Sequence, residues 1–184
     1  AILDNGSVYC WGQNSAGQLG DGSFVERLTP VQVNGLGDER ATKLALGQYH
    51  SCALMERGEV RCWGGNSQGQ LGDGTTFGRP SASATSSLST NNDNAVSIVA
   101  GEQHTCALLQ DGGVSCWGWN YGGQLGIGSE ISQSSPQETT LTSNGSSAIS
   151  LAAGSYHTCA ILQDGNVHCW GLNSNGALGD GTIV

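Results

Sequence analysis

The chain has 184 residues, with six Lys plus Arg against fifteen Asp plus Glu, a formal net charge of −9 and no basic run. Binding to a phosphate backbone depends on Lys and Arg neutralising its charge, so the composition argues against nucleic acid as a partner. No stretch approaches the roughly eighteen apolar residues of a membrane span, which argues against membrane insertion. Thirty glycines with two Phe and one Met suit a turn-dense β protein.

In chain order, the first recognisable element is Ala1–Gly22, AILDNGSVYCWGQNSAGQLGDG, and close copies follow at Cys52–Gly74, Cys106–Gly128 and Cys159–Gly181. The Cys of each Cys-Trp-Gly stands at Cys10, Cys62, Cys116 and Cys169, steps of 52, 54 and 53 residues. A period of that size marks an array of similar units. Each of three units has two cysteines ten apart, with Glu56-Arg57-Gly58, Gln110-Asp111-Gly112 or Gln163-Asp164-Gly165 midway. A three-residue hairpin loop whose third residue is a left-handed Gly places the flanking cysteines opposite each other. Such facing residues lie close enough for a disulfide without moving the backbone. The expected pairs are Cys52–Cys62, Cys106–Cys116 and Cys159–Cys169. Cys10 obeys the same rule through Asp4-Asn5-Gly6, but its partner would precede Ala1, so it is expected to be unpaired in this chain. The 184 residues therefore read as a piece of a longer array.

Further strands are expected at Ala95–Ala100, His104–Leu109 and Val114–Gly118. A fourth should follow each Leu-Gly-x-Gly turn, as at Thr29–Val33, with Pro30, Pro80 and Pro136 at a shared point near the start of an edge strand. Four short antiparallel strands in about 50 residues is the size of a propeller blade. The fold class is accordingly all-β, about three and a half propeller blades. They divide as a partial repeat 1–43, repeats 44–94 and 95–148, and a partial repeat 149–184. The stretches Ser81–Asn94 and Ser129–Ser147 are rich in Ser, Thr, Asn and Gln. They read as exposed connections too polar to pack.

The segments Gly47-Gln48-Tyr49-His50-Ser51-Cys52, Gly101-Glu102-Gln103-His104-Thr105-Cys106 and Gly154-Ser155-Tyr156-His157-Thr158-Cys159 each run on into Asp-Gly or Arg-Gly, Cys-Trp-Gly-x-Asn and a Leu-Gly turn. This pattern resembles the regulator of chromosome condensation repeat family, over all four units. The resemblance implies a seven-bladed β-propeller. It constrains function weakly, because the family includes a chromatin-bound exchange factor, a plant ultraviolet photoreceptor and a secreted bacterial β-lactamase inhibitor, and fold does not fix function. Gln48, Glu102 and Ser155 occupy the position of the photoreceptor's chromophoric Trp. Paired cysteines suit an oxidising compartment rather than a nucleus. The chain is most similar in type to disulfide-containing secreted bacterial members, which implies an extracellular or cell-surface location.

Several constellations read as structure once the repeats are aligned. His50, His104 and His157 recur one per unit and should bond neighbouring backbone groups rather than converge on a metal, while His168 should be exposed. Trp11, Trp63, Trp117 and Trp170 recur in register and suit inter-blade core. Gly65-Asn66-Ser67-Gln68-Gly69 matches a nucleophile elbow but lacks the strand, turn and helix that motif needs. Asp21, Asp73 and Asp180 suit turn capping better than calcium, since no unit clusters acidic ligands. Asn5 and Asn144 head Asn-Gly-Ser sequons. Outside the repeat register stands Trp119, with Tyr121 beside it, as the candidate aromatic binding patch.

No catalytic residue, metal or cofactor is expected. The leading reading is a non-catalytic binding or structural module that recognises a protein or glycan ligand through blade-connecting loops. The alternative is a subunit that assembles with further copies of itself through open blade edges, and an enzyme ranks third.

Overall fold

The computed structural model describes residues 1–88, 94–141 and 147–183. Its strands are, in chain order, β1 Tyr9–Gly12, β2 Arg27–Gln32, β3 Ala41–Leu46, β4 His50–Met55, β5 Val60–Gly64, β6 Arg79–Ala84, β7 Ala95–Ala100, β8 His104–Leu109, β9 Val114–Gly118, β10 Gln133–Glu138, β11 Ala148–Ala153, β12 His157–Leu162 and β13 Val167–Gly171. They form antiparallel sheets in sequence order: β1-β2, β3-β4-β5-β6, β7-β8-β9-β10 and β11-β12-β13. An isolated bridge, Ile2 to Val8, extends the first sheet.

The central hairpins set the register of everything else. Gly58, Gly112 and Gly165 adopt φ of 86°, 87° and 87°, a left-handed conformation that costs a Gly no steric clash. Each donates its N–H back across the turn, Gly58 to the Met55 carbonyl at 2.9 Å and Gly112 to the Leu109 carbonyl at 3.0 Å. The ladders then face Cys52 with Cys62, Cys106 with Cys116 and Cys159 with Cys169. All three pairs are disulfides, with Cα atoms 4.1 Å apart. Cys10 is a buried free thiol, and burial raises its pKa.

Alternation along a strand sends Cys and Trp of each Cys-Trp-Gly to opposite faces. Cys52, Cys62 and Leu54 pack with Ala107, Leu109 and Trp117 of the following sheet. Cys106, Cys116 and Leu108 pack with Ala160, Leu162 and Trp170 in the same manner. The Trp thus reaches back, and its indole N–H ends on a carbonyl of the preceding sheet's loop: Trp63 on Gln18, Trp117 on Gln70 and Trp170 on Gln124, each at 2.9 Å. The seat beneath the indole must be glycine. A Cβ on Gly20, Gly72 or Gly126 would lie 2.8, 2.7 or 2.7 Å from the indole nitrogen. Trp63 and Trp117 are fully buried and Trp170 half-buried. Trp11, read as inter-blade core, is instead 53% exposed, because no described sheet lies on its face.

Two further readings need correction. The polar stretches Ser81–Asn94 and Ser129–Ser147 are not wholly connections, since the first begins inside β6 and the second contains all of β10. Both are edge strands, so most of their side chains face solvent and a strand there needs few apolar residues. Nor do the prolines share one point. Pro80 is the second residue of its strand, whereas Pro30 and Pro136 are the fourth of theirs. What they share is the irregular part of the outer ladder, between the paired positions Arg27 and Val31, Arg79 and Ser83, and Gln133 and Gln137. A residue without an N–H costs no ladder bond there.

Peptide mapping of protein isolated without reductant should recover the three ten-residue-spaced disulfides and leave Cys10 alkylatable only after unfolding. Replacing one pair by alanines should cost about 2–3 kcal/mol, the chain-entropy value for so short a loop, measured as a shift of the urea midpoint.

Candidate functional site

The strands present loops at two ends. The hairpin turns at Gly58 and Gly112, the last residues of β6 and β10 and the first residues of β7 and β11 lie at one end. The opposite end carries the loops before β4, β8 and β12 and the longer ones after β1, β5, β9 and β13. Trp119 and Tyr121 belong to this second end, in the loop joining β9 to β10, not to the inter-repeat connections.

These longer loops are built around one buried amide. Asn66 Nδ2 donates to the Thr75 and Phe77 carbonyls at 3.0 and 3.1 Å, and Oδ1 accepts from the Leu71 N–H at 2.9 Å. Asn14 repeats this with Ser23, Val25 and Leu19, and Asn120 with Ser129, Ile131 and Leu125. The Asp of the Leu-Gly-Asp-Gly turn closes the loop further. Asp73 Oδ1 accepts from Thr75 N–H and Oγ1, and Oδ2 accepts from Arg79 Nε. Burial raises the pKa of Asp21 and Asp73, but hydrogen bonds from Ser23 or Thr75 and from Arg27 or Arg79 outweigh it and hold both carboxyls below the ordinary value. Ser67 is an exposed turn residue.

On this frame the first residue after the Cys-Trp-Gly strand points out of the loop. Trp119 is anchored through its backbone N–H to the Gln103 carbonyl at 2.9 Å. Its ring lies 6.0 Å from Tyr121 at 58° and 5.3 Å from Tyr156 at 68°, tilted and edge-on arrangements that suit aromatic quadrupoles. Tyr121 is 71% exposed, and Trp119 and Tyr156 are partly exposed. The Tyr156 hydroxyl donates to Glu102, a hydrogen bond that is the main reason its pKa is raised. Glu102 is in turn fixed by backbone bonds, from Gln48 N–H to its carbonyl and from its own N–H to the Ser155 carbonyl, 3.1 and 3.0 Å. The result is a contiguous aromatic patch across the third and fourth sheets with one carboxylate at its margin. The sequence alone assigns neither Tyr156 nor Glu102 to this patch, Glu102 entering there only as the residue at the photoreceptor's Trp position. Their signal was the register, since the loops before β8 and β12 stand beside each other at this end.

The histidines are not gathered into one site. His50 Nε2 lies 2.9 Å from Thr105 Oγ1 and His104 Nε2 lies 3.0 Å from Thr158 Oγ1, so each bonds a hydroxyl of the next sheet rather than a backbone group. Thr105 donates its only proton to the Gln70 carbonyl, and Thr158 donates to that of Gln124. The hydroxyls must therefore accept, which assigns the proton to Nε2 and leaves Nδ1 bare. Among the described residues neither Nδ1 has a partner. A second ring proton would find no acceptor. Burial, and then the neighbouring His104 or His157, pushes the pKa of His50 down to about 3 and that of His104 down to about 4. His168 is exposed. Asn5 sits in an exposed hairpin loop, its Oδ1 accepting from Ser7 N–H at 3.0 Å, and Asn144 lies outside the described residues.

Antiparallel sheets of up to four strands packed in succession, with Trp63, Trp117 and Trp170 each inserted into the preceding sheet's loop, define a section of a β-propeller. The chain belongs to the regulator of chromosome condensation (RCC1) repeat family, whose model matches residues 5–54, 57–108 and 111–161, and a second model of the same repeat matches 41–70, 95–124 and 148–177. It is similar to the ultraviolet-B receptor UVR8 of Arabidopsis thaliana, 33% identical over 184 residues that make up 100% of this chain and 41% of the receptor. The probable E3 ubiquitin-protein ligase HERC3 of Homo sapiens is 38% identical over 98% of this chain and 17% of its own. Among solved structures, Prp20p of Saccharomyces cerevisiae superposes with a TM-score of 0.83 at 24% identity, over 98% of this chain and 45% of that one. Human WBSCR16 gives 0.84 at 22%, over 99% and 47%. The chain thus spans less than half the length of each of these proteins.

The buried histidines generate a pH prediction. An unfolded His takes up a proton below about pH 6.5, whereas the folded His104 and His50 resist until about 4 and about 3. Stability present at neutral pH is therefore lost as pH falls from 6.5 towards 4, before the carboxylates titrate. Urea midpoints measured across that window should fall, and His104→Gln, although less stable at pH 7, should show a flatter dependence.

Proposed function

We propose that this chain is a non-catalytic recognition module of a secreted or cell-surface protein, binding a protein or glycan at the end of the propeller section that carries Trp119, Tyr121 and Tyr156. The observation that carries this reading is the patch itself: three aromatic rings held together by fixed backbone anchors, with Tyr121 71% exposed. Aromatic side chains with one polar end give large contact area at low entropic cost, and they dominate binding energy where they occur in interfaces. Their faces also suit the apolar side of a sugar ring.

Three disulfides support an oxidising, extracellular setting. A non-catalytic role is supported by how the polar side chains are used. The buried histidines bond across sheets, and the turn aspartates bond within their loops. Binding is also the theme of one structural relative, since the Prp20p structure is reported together with its binding to Gsp1p and histones. The ligase title of HERC3 describes a protein of which this chain covers 17%, so that activity is not carried over.

Glycan arrays and extracellular protein panels probed with the intact chain should identify ligands that Trp119→Ala or Tyr121→Ala releases by about 30-fold or more, the effect of truncating an interface aromatic. Ligands bound equally by the wild type and both variants would place recognition elsewhere and refute this reading.

A further inference from the structure

The aromatic patch stands in a one-sided electrostatic setting. The six Lys and Arg of the chain are Arg27, Arg40, Lys43, Arg57, Arg61 and Arg79, so the two units that build the patch, residues 95–184, contain none. They do contain six carboxylates, Glu102, Asp111, Glu130, Glu138, Asp164 and Asp180. Most of the basic side chains are also engaged elsewhere: Arg27 pairs with Asp21, Arg61 with Glu59 and Arg79 with Asp73, while Arg40 and Lys43 donate to the Asp4 and Val96 carbonyls.

Within the patch this leaves one carboxylate without a countercharge. Glu102 Oε2 accepts from the Tyr156 hydroxyl, and among the described residues Glu102 forms no ion pair. The Tyr156 ring is edge-on to Trp119 at 5.3 Å, and Trp119 stands 6.0 Å from Tyr121, which is 71% exposed. The faces of such rings are the negative part of their quadrupole. A neutral sugar would use those faces alone, whereas a cation is drawn by the faces and by the carboxylate together. Among cationic side chains arginine fits best. Its planar guanidinium stacks on an aromatic ring and still presents a fork of N–H donors to a carboxylate, which a lysine ammonium does not.

We propose, resting on the recognition surface described above, that the ligand of this patch is an arginine side chain presented by a partner protein, its guanidinium lying against Trp119 and Tyr121 while Glu102 supplies the countercharge. Tyr156 is then a positioning residue. Its hydroxyl ties the carboxylate of one loop to the aromatic rings of the next.

A fluorescein-labelled peptide of arginine, glycine and serine, compared with the same peptide carrying citrulline for each arginine, tests this by fluorescence anisotropy with the protein itself unchanged. Citrulline keeps the planar side chain and removes its charge. The arginine peptide should bind about tenfold tighter or more, through an interaction that weakens as salt is added. Glu102→Gln keeps an acceptor for the Tyr156 hydroxyl but removes the charge, so it should weaken the arginine peptide about tenfold and flatten the salt dependence. Trp119→Ala should weaken it about 30-fold or more, with near-UV circular dichroism and disulfide maps like the parent's as the check on folding. Equal binding of the two peptides, no binding of the arginine peptide, or arginine binding that Trp119→Ala and Glu102→Gln leave unchanged would each overturn the proposal. A glycan or neutral protein that the parent binds and Trp119→Ala releases would, in any of those cases, keep the recognition surface and remove only the arginine.

Discussion

The stacking of this molecule depends on an indole resting on a glycine. A tryptophan from each sheet reaches back to the loop of its predecessor, where its N–H finds a fixed carbonyl and its ring finds a residue with no side chain. The burial of so large a ring is a substantial hydrophobic gain, on the order of 2–3 kcal/mol or more per junction, but the glycine makes it specific. Any side chain at that point would hold the sheets apart. The hydroxyl of Ser51, Thr105 or Thr158 bonds the same carbonyl from the same following sheet. One backbone oxygen therefore sets both the distance and the register of each junction.

Much of this was written in the sequence, because the period and the cysteine spacing are local properties. Ten residues with a glycine near the middle determine a hairpin, and the hairpin determines which cysteines face each other. What local reasoning missed lies between sheets. His50 is bonded by Thr105, 55 residues away, and nothing in its own neighbourhood names that partner. Tyr156 was hidden as a contact of Trp119 for the same reason. The outer strands were obscured differently: Arg79–Ala84 and Gln133–Glu138 sit at sheet edges with solvent on one side, so they lack the apolar run by which a strand is usually recognised.

The buried histidines and the aromatic patch show two uses of the same architecture. Inside, a neutral ring with one bonded nitrogen ties adjacent sheets at the cost of acid sensitivity. Outside, the same stacking brings loops of successive sheets side by side, so that a carboxylate before β8 and a phenol before β12 meet although 54 residues separate them. The first arrangement recurs between successive units of this chain, at His50 with Thr105 and at His104 with Thr158. The second belongs to residues that vary from one unit of this chain to the next.

The asparagine at the heart of each long loop bears on how such units diversify. Its side chain supplies, from inside, the hydrogen bonds that a loop would otherwise have to find among its own exposed residues. The backbone path is thereby decoupled from the identity of the residue just before that asparagine, which is Gln13, Gly65, Trp119 and Leu172 in successive units. Each is a display position on an unchanging mount, spaced one blade from the next. A chain of this kind can alter the chemistry of a whole face one letter at a time, with no change in the framework that presents it.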